Sequence, residues 1–93
     1  MPFSYQSITG DQGVDLLARK NHETLAIQLK CYSSSVGNDA VQQVIAGMNY
    51  YQADKGAVIT NNYYTKSAKE LASRADIILW DREKLSEMIN LIY

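Results

Sequence analysis

The stretch Val14-Asp-Leu-Leu-Ala-Arg-Lys-Asn-His-Glu-Thr-Leu-Ala-Ile-Gln-Leu-Lys-Cys-Tyr32 decides the fold. Val14 to Lys20 and Thr24 to Tyr32 have strand composition, and Asn21-His22 between them reads as a tight two-residue turn. Such a turn sets Lys20 against Glu23, and the antiparallel register then places Asp15 directly opposite Gln28. Side chains alternate along a strand. Asp15, Leu17 and Arg19 therefore share a face with Gln28 and Lys30, while Val14, Leu16 and Ala18 share the other with Leu25, Ile27 and Leu29. The second set is apolar on both strands, which supports this register, because a slip of one residue would send half of it to the polar face.

Working outward, Phe3 to Thr9 has strand composition and Gly10-Asp-Gln-Gly13 is a turn cluster. Ser33 to Gly37 is a loop, Asn38 stands where a helix N-cap belongs, and Asp39 falls in the first turn. From Asp39 to Ala53 the residues Val41, Val44, Ile45 and Met48 recur at helical spacing. Gly56 to Thr60 reads as a short buried strand. Thr65 caps a second helix with Ala68, Leu71, Ala72 and Ala75 on its apolar side. Asp76 to Trp80 is another buried strand, and Asp81 to Leu91 a last amphipathic helix through Leu85, Met88 and Ile89. The order βββαβαβα predicts an α/β domain: an antiparallel meander continued by right-handed β-α-β crossovers, giving one mixed β-sheet flanked by helices.

With 93 residues there is room for one domain, spanning 1–93. Hydrophobic residues at 46% and charged residues at 20% fit a globular chain and not a disordered one. The apolar runs are too short to span a bilayer, and the amino terminus has no secretory pattern. One cysteine and one histidine exclude an internal disulfide and the common zinc ligand sets; a reducing cytoplasm is the expected compartment. A net charge of −1 argues against a DNA-coating protein but is compatible with a nuclease, which needs metal-binding carboxylates beside a local basic rim.

The shared polar face of the hairpin carries a carboxylate, an amide and an amine. This set suits phosphodiester hydrolysis. The Asp15 carboxylate is suited to a hard divalent cation, Mg²⁺ with Mn²⁺ as a substitute, with the Gln28 amide oxygen and the Leu29 backbone carbonyl as neutral ligands. Lys30 is suited to orient or help deprotonate the attacking water and to stabilise developing phosphorane charge.

Gly10-Asp-Gln-Gly-Val-Asp-Leu16, followed after one hairpin by Ile27-Gln-Leu-Lys-Cys-Tyr32, resembles the Mrr-like branch of the restriction-endonuclease superfamily, with its D…(E/Q)xK signature in the glutamine form. Val36-Gly-Asn-Asp-Ala-Val-Gln-Gln-Val44 is similar to that branch's helix, whose first glutamine points toward the active site; this implies Gln42. Ala57-Val-Ile-Thr-Asn61 and Leu79-Trp-Asp-Arg82 are similar to its later strand ends. The resemblance runs from Ser7 onward and implies a restriction-endonuclease-like fold, a Mg²⁺-dependent deoxyribonuclease, DNA as partner, and Asp15, Gln28, Lys30 and Gln42 as site residues. Catalytic domains of this branch usually begin with a helix that adds an acid and packs on the sheet, whereas residues 1–10 hold no Asp or Glu. This implies an apolar sheet face covered by a second copy or another partner, and it keeps open two alternatives to an endonuclease: a DNA-binding module that does not cut, and an interaction domain.

Other residues have plainer readings. Asp11 is a turn-former, His22 a solvated turn tip and Cys31 a small core residue on the apolar face. The pairs Tyr50-Tyr51 and Tyr63-Tyr64 suit either base stacking or a split between core and surface. Lys66, Lys69 and Arg74 form either a phosphate-contacting rim or a solvated helix face beside Glu70. Trp80 is a core or interface anchor.

Overall fold

The computed structural model describes residues 4–7, 13–31 and 33–92. The elements are β1 (Ser4–Ser7), β2 (Leu16–Lys20), β3 (Glu23–Lys30), α1 (Asn38–Tyr51), β4 (Lys55–Thr60), α2 (Lys66–Ala75), β5 (Ile77–Trp80) and α3 (Arg82–Ile92). This is the βββαβαβα order that the sequence predicts. The five strands lie in the order β1-β2-β3-β4-β5. β1, β2 and β3 pair antiparallel, while β3-β4 and β4-β5 are parallel and are joined through α1 and α2.

The hairpin turn has the expected form. Asn21 and His22 have φ of 54° and 69°, both positive as a type I′ turn requires, and Lys20 faces Glu23. Regular pairing of β2 with β3 runs only as far as Leu16 opposite Ile27. The Asp15 N–H then bonds the Ile27 carbonyl at 2.8 Å, so Asp15 lies one residue off that register and not squarely opposite Gln28.

Helix ends follow local chemistry. Thr65 caps α2 by accepting the Ala68 N–H at 3.1 Å. Asp81 accepts the Lys84 N–H at 3.0 Å at the start of α3. Gly37, not Asn38, is the N-cap of α1, and no side chain bonds there. Asp76, expected to open a strand, takes a left-handed conformation at φ 59° and ends α2, its N–H bonded to the Ala72 carbonyl. The outer parts of the Phe3–Thr9 strand and most of the Gly10–Gly13 turn, including Asp11, lie outside the described residues.

The central strands are buried on both faces, as parallel pairing demands. On one face α1 and α2 pack over the sheet: Val41, Val44, Ala68 and Ala72 meet Val58 and Ile77. Gly56 lets α1 approach closely, since a Cβ there would collide with the Met48 sulfur. On the other face Ala18, Ile27 and Ala57 form a smaller cluster, with Leu16, Leu25 and Ile59 half-buried around it. That second face is incompletely covered: Leu29 is 49% and Ile78 39% exposed. Cys31 is exposed as well, which corrects its expected place in the core. It follows Leu29 by two residues, just beyond the end of β3. No described helix is long and apolar enough to cross a membrane.

At the carboxyl ends of β3, β4 and β5 the connecting loops are tied together. The Val36 N–H bonds the Tyr63 carbonyl at 2.8 Å and the Thr65 N–H bonds the Val36 carbonyl at 3.0 Å. Tyr64 is buried, and its hydroxyl lies 2.8 Å from the Val58 carbonyl and 2.9 Å from that of Trp80. Burial, then the negative charge of Asp81, pushes the Tyr64 hydroxyl well above the usual tyrosine range, against a smaller opposing effect of its bond to Trp80. Tyr63 is exposed and Tyr64 buried, so this pair divides between surface and core. Tyr50 is exposed, Tyr51 half-buried, and their rings meet edge to face at 4.8 Å.

Candidate active site

The polar residues of the hairpin converge where β3 ends beside the start of β2. Gln28 lies on the helix-covered face, in register with Val58 of β4, and is only 6% exposed. A buried amide must find partners for both its ends, and three groups surround this one. The Gln28 and Gln43 amides are 3.0 Å apart. Lys30 Nζ is 2.9 Å from the Gln28 amide, and the Gly13 carbonyl closes the other side.

The identity of an amide's two ends follows from its partners. With the oxygen toward Gly13 and the nitrogen toward Lys30, Gln28 would set acceptor against acceptor and donor against donor. The reverse orientation satisfies Gly13 and Lys30 together. Gln28 Oε1 then accepts from Lys30 Nζ and Nε2 donates to the Gly13 carbonyl, while the contact with Gln43 Oε1 is a hydrogen bond only if that second amide is reversed as well.

Asp15 reaches the same strand end by a different route. Its Oδ2 accepts the backbone N–H of Leu29 at 2.8 Å. The N–H and C=O of a strand residue project to the same edge, so the Leu29 carbonyl also faces the Asp15 side. The structure thus gathers the Asp15 carboxylate, the Gln28 amide oxygen, the Leu29 carbonyl and the Lys30 ammonium around the end of β3. Thr60, 1% exposed, is the register partner of Lys30 on β4, and its hydroxyl accepts the Asn62 N–H at 3.2 Å.

Gln42 does not join them. It is exposed, and the glutamine that meets Gln28 is its neighbour Gln43. Helical phase explains the difference. At 3.6 residues per turn, the buried stripe of Ala40, Val41, Val44 and Gly47 puts Gln42 about 170° from its centre and Gln43 about 90° from it, on the flank beside the sheet. The apolar phase was the signal that separates the two residues. Among the other candidates, His22 is exposed at the turn, at the far end of the hairpin from Lys30, and Lys66, Lys69 and Arg74 are all exposed on α2. Arg74 shares a shallow recess with Asn38, Ser67, Glu70 and Leu71.

All the donors at the β3 end are oxygens, one of them charged. This set fits a hard divalent cation that keeps several waters and takes phosphate oxygens as further ligands, and it does not fit zinc. Among the described residues no three His, Cys, Asp or Glu side chains gather.

The fold has likenesses among solved structures. The fold is similar to a protein of unknown function, AF1548 (TM-score 0.72, 19% identity, 85% of this chain and 49% of that one). It is also similar to the restriction endonuclease MspJI, solved in complex with a 27-mer oligonucleotide (TM-score 0.67, 21% identity, 89% of this chain and 22% of that one). A third likeness is to the DNA modification-dependent restriction endonuclease AspBHI (TM-score 0.61, 16% identity, 88% of this chain and 20% of that one). The chain thus spans about half the length of the first and about a fifth of the other two. No curated protein matches the sequence. The family model described as "Restriction endonuclease", Mrr_cat, matches residues 3–89. A match over that much of the sequence places the family beyond the single motif: the chain belongs to the Mrr_cat family of restriction endonuclease domains.

Proposed function

We propose that this chain is the cleaving domain of a Mg²⁺-dependent DNA endonuclease of the Mrr type, with Mn²⁺ as a substitute metal. The observation that carries the reading is the contact between Gln28 and Lys30 at 2.9 Å, made at the strand end that Asp15 reaches through Leu29. Asp15, Gln28 Oε1 and the Leu29 carbonyl would hold the cation. When bound, it lowers the pKa of a water and offsets phosphate charge. Lys30, anchored through Gln28, orients the attacking water and stabilises charge that develops on the phosphoryl oxygens. The water oxygen forms the new bond to phosphorus, the P–O bond to the leaving sugar breaks, and no covalent enzyme intermediate is formed. Asp15→Ala and Lys30→Ala proteins should nick plasmid DNA far more slowly than wild type in either metal; nicking at the wild-type rate by either variant would refute these roles.

One observation favours a second reading, a DNA-binding module that cuts weakly or not at all: the described site has a single carboxylate. Binding of duplex DNA at low salt, with no cleavage in Mg²⁺ or Mn²⁺, would select it. The exposed Leu29 and Ile78 support a further part of the proposal, a homodimer or other assembly covering that sheet face, in a cytoplasmic protein. Sedimentation of wild type and Ile78→Glu tests it: a wild-type protein that is strictly monomeric removes the homodimer.

A further inference from the structure

We infer that Tyr63 is a stacking platform for an unpaired DNA base, so that this domain favours DNA with single-stranded character, such as a flap or splayed end, over uniform duplex. This rests on the reading of the β3 end as a DNA-cutting site and names its substrate class.

A single exposed aromatic side chain needs no explanation by itself; its setting decides. Of the exposed large apolar side chains, Leu29 and Ile78 belong to the open sheet face, and the Tyr50 ring rests against Tyr51 near the end of α1. Tyr63 is 44% exposed and pairs with no other ring among the described residues. It stands on the loop between β4 and α2, at the carboxyl ends of the strands, where Gln28 and Lys30 also lie. Thr60 is across the ladder from Lys30, about 5 Å away, and the three residues on to Tyr63 span at most about 11 Å. Tyr63 is therefore within about 16 Å of Lys30, a distance of a few nucleotides along a strand.

The backbone that carries the ring is held on both sides. The Asn62 N–H bonds the Thr60 hydroxyl at 3.2 Å and the Tyr63 N–H bonds Asn62 Oδ1 at 2.9 Å. The Tyr63 carbonyl accepts the Val36 N–H at 2.8 Å, and the Asn62 carbonyl accepts the Arg82 N–H at 2.9 Å. Tyr64 packs with residues of α1 and α2. Adjacent side chains of an extended segment point to opposite sides, so burial of Tyr64 turns Tyr63 outward. A rigid ring on a fixed backbone loses little freedom when it is covered.

The chemistry of this surface selects the occupant. Every nucleobase has a flat π-face, so stacking on an aromatic ring tolerates any sequence. Within a duplex those faces are covered by neighbouring bases, and only an unpaired or displaced base offers one. Lys66 and Arg82 flank the same tied loops and are exposed, and the first turn of α2 holds no acid. The surroundings of the ring thus suit the phosphates that accompany such a base.

Exposure of the ring makes Tyr63→Ala and Tyr63→Phe compatible with the fold. Binding is measured in EDTA, where no strand is cut, with 2-aminopurine placed in turn at the first unpaired positions of a splayed-arm DNA. A fully paired duplex of the same sequence is the comparison. Wild type should bind the splayed DNA about 5- to 150-fold more tightly, the worth of one stacked base, and should quench the 2-aminopurine fluorescence. Tyr63→Phe should keep both effects. Tyr63→Ala should lose both while binding the duplex as wild type does. Lys66→Gln should instead weaken both DNAs alike and reduce the salt dependence. Equal affinity of wild type for the two DNAs, or an equal loss on both in Tyr63→Ala, overturns the inference even if the protein cuts DNA. A Tyr63-dependent preference in a folded protein that cuts neither DNA in Mg²⁺ or Mn²⁺ upholds the platform and rejects the nuclease reading.

Discussion

Asp15 Oδ2 and the backbone N–H of Leu29 are joined by a 2.8 Å hydrogen bond, which makes the carboxylate both a part of the fold and a part of the site. The bond replaces the ladder hydrogen bond that β2 no longer supplies once Asp15 has stepped off register. The two duties separate by mutation. Asp15→Asn keeps an oxygen for Leu29 and loses the charge; Asp15→Ala loses both.

Urea denaturation should therefore show Asp15→Asn close to wild type. Asp15→Ala should be about 1 kcal/mol less stable, the ordinary net worth of one partly solvated hydrogen bond. Both should be inactive. An active Asp15→Asn protein would mean that charge at this position is not what the reaction needs.

Tyr64 gives the clearest pH dependence. Its folded-state pKa is raised above the ordinary tyrosine value of 10.0, so the native state holds the proton more tightly than the unfolded chain. The resulting stability is fully present below pH 10 and is lost as pH rises past the unfolded value. Tyr64→Phe should cost about 1–3 kcal/mol at neutral pH, because the Val58 and Trp80 carbonyls lose a buried donor. It should also flatten the alkaline fall in stability. Parallel pH–stability curves for the two proteins would contradict this assignment.

The hairpin turn carries a residue poorly suited to its backbone. His22 adopts φ of 69°, a conformation that costs a residue with a side chain about 1 kcal/mol and costs glycine little. His22→Gly should raise the melting temperature while leaving any nicking activity unchanged, since the turn is at the opposite end of β3 from Lys30. Loss of activity in a stable His22→Gly protein would assign the histidine a chemical role.

The hairpin was legible because two periodicities agree there: a two-residue turn at Asn21-His22, and alternation that puts Leu16, Ala18, Leu25 and Ile27 on one face. Gln28 and Lys30 followed from the same alternation. Asp15 was placed one step wrong because strand alternation assumes the ladder continues to its end, and a side-chain-to-backbone bond ended it early. The resemblance implies Gln42, the first glutamine of the motif, whereas the phase of α1, which the buried Ala40, Val44 and Gly47 define, puts Gln43 on the flank beside the sheet. Cys31 and Leu29 alternate onto an apolar face, and sequence alone does not reveal that this part of the face is uncovered. The amide orientation of Gln28 is not legible in the sequence, because it depends on the Gly13 carbonyl, brought to it from another segment of the chain.

The measurement that bears most directly on the central claim is nicking of supercoiled plasmid in Mg²⁺ or Mn²⁺, comparing wild type with Lys30→Ala and with EDTA. The account predicts metal-dependent nicking by wild type and a fall of about 10²–10⁴-fold in Lys30→Ala, the range spanned by positioned proton-transfer and charge-stabilising groups. Equal cutting by a folded Lys30→Ala protein, or no cutting by folded wild type in either metal, would contradict it.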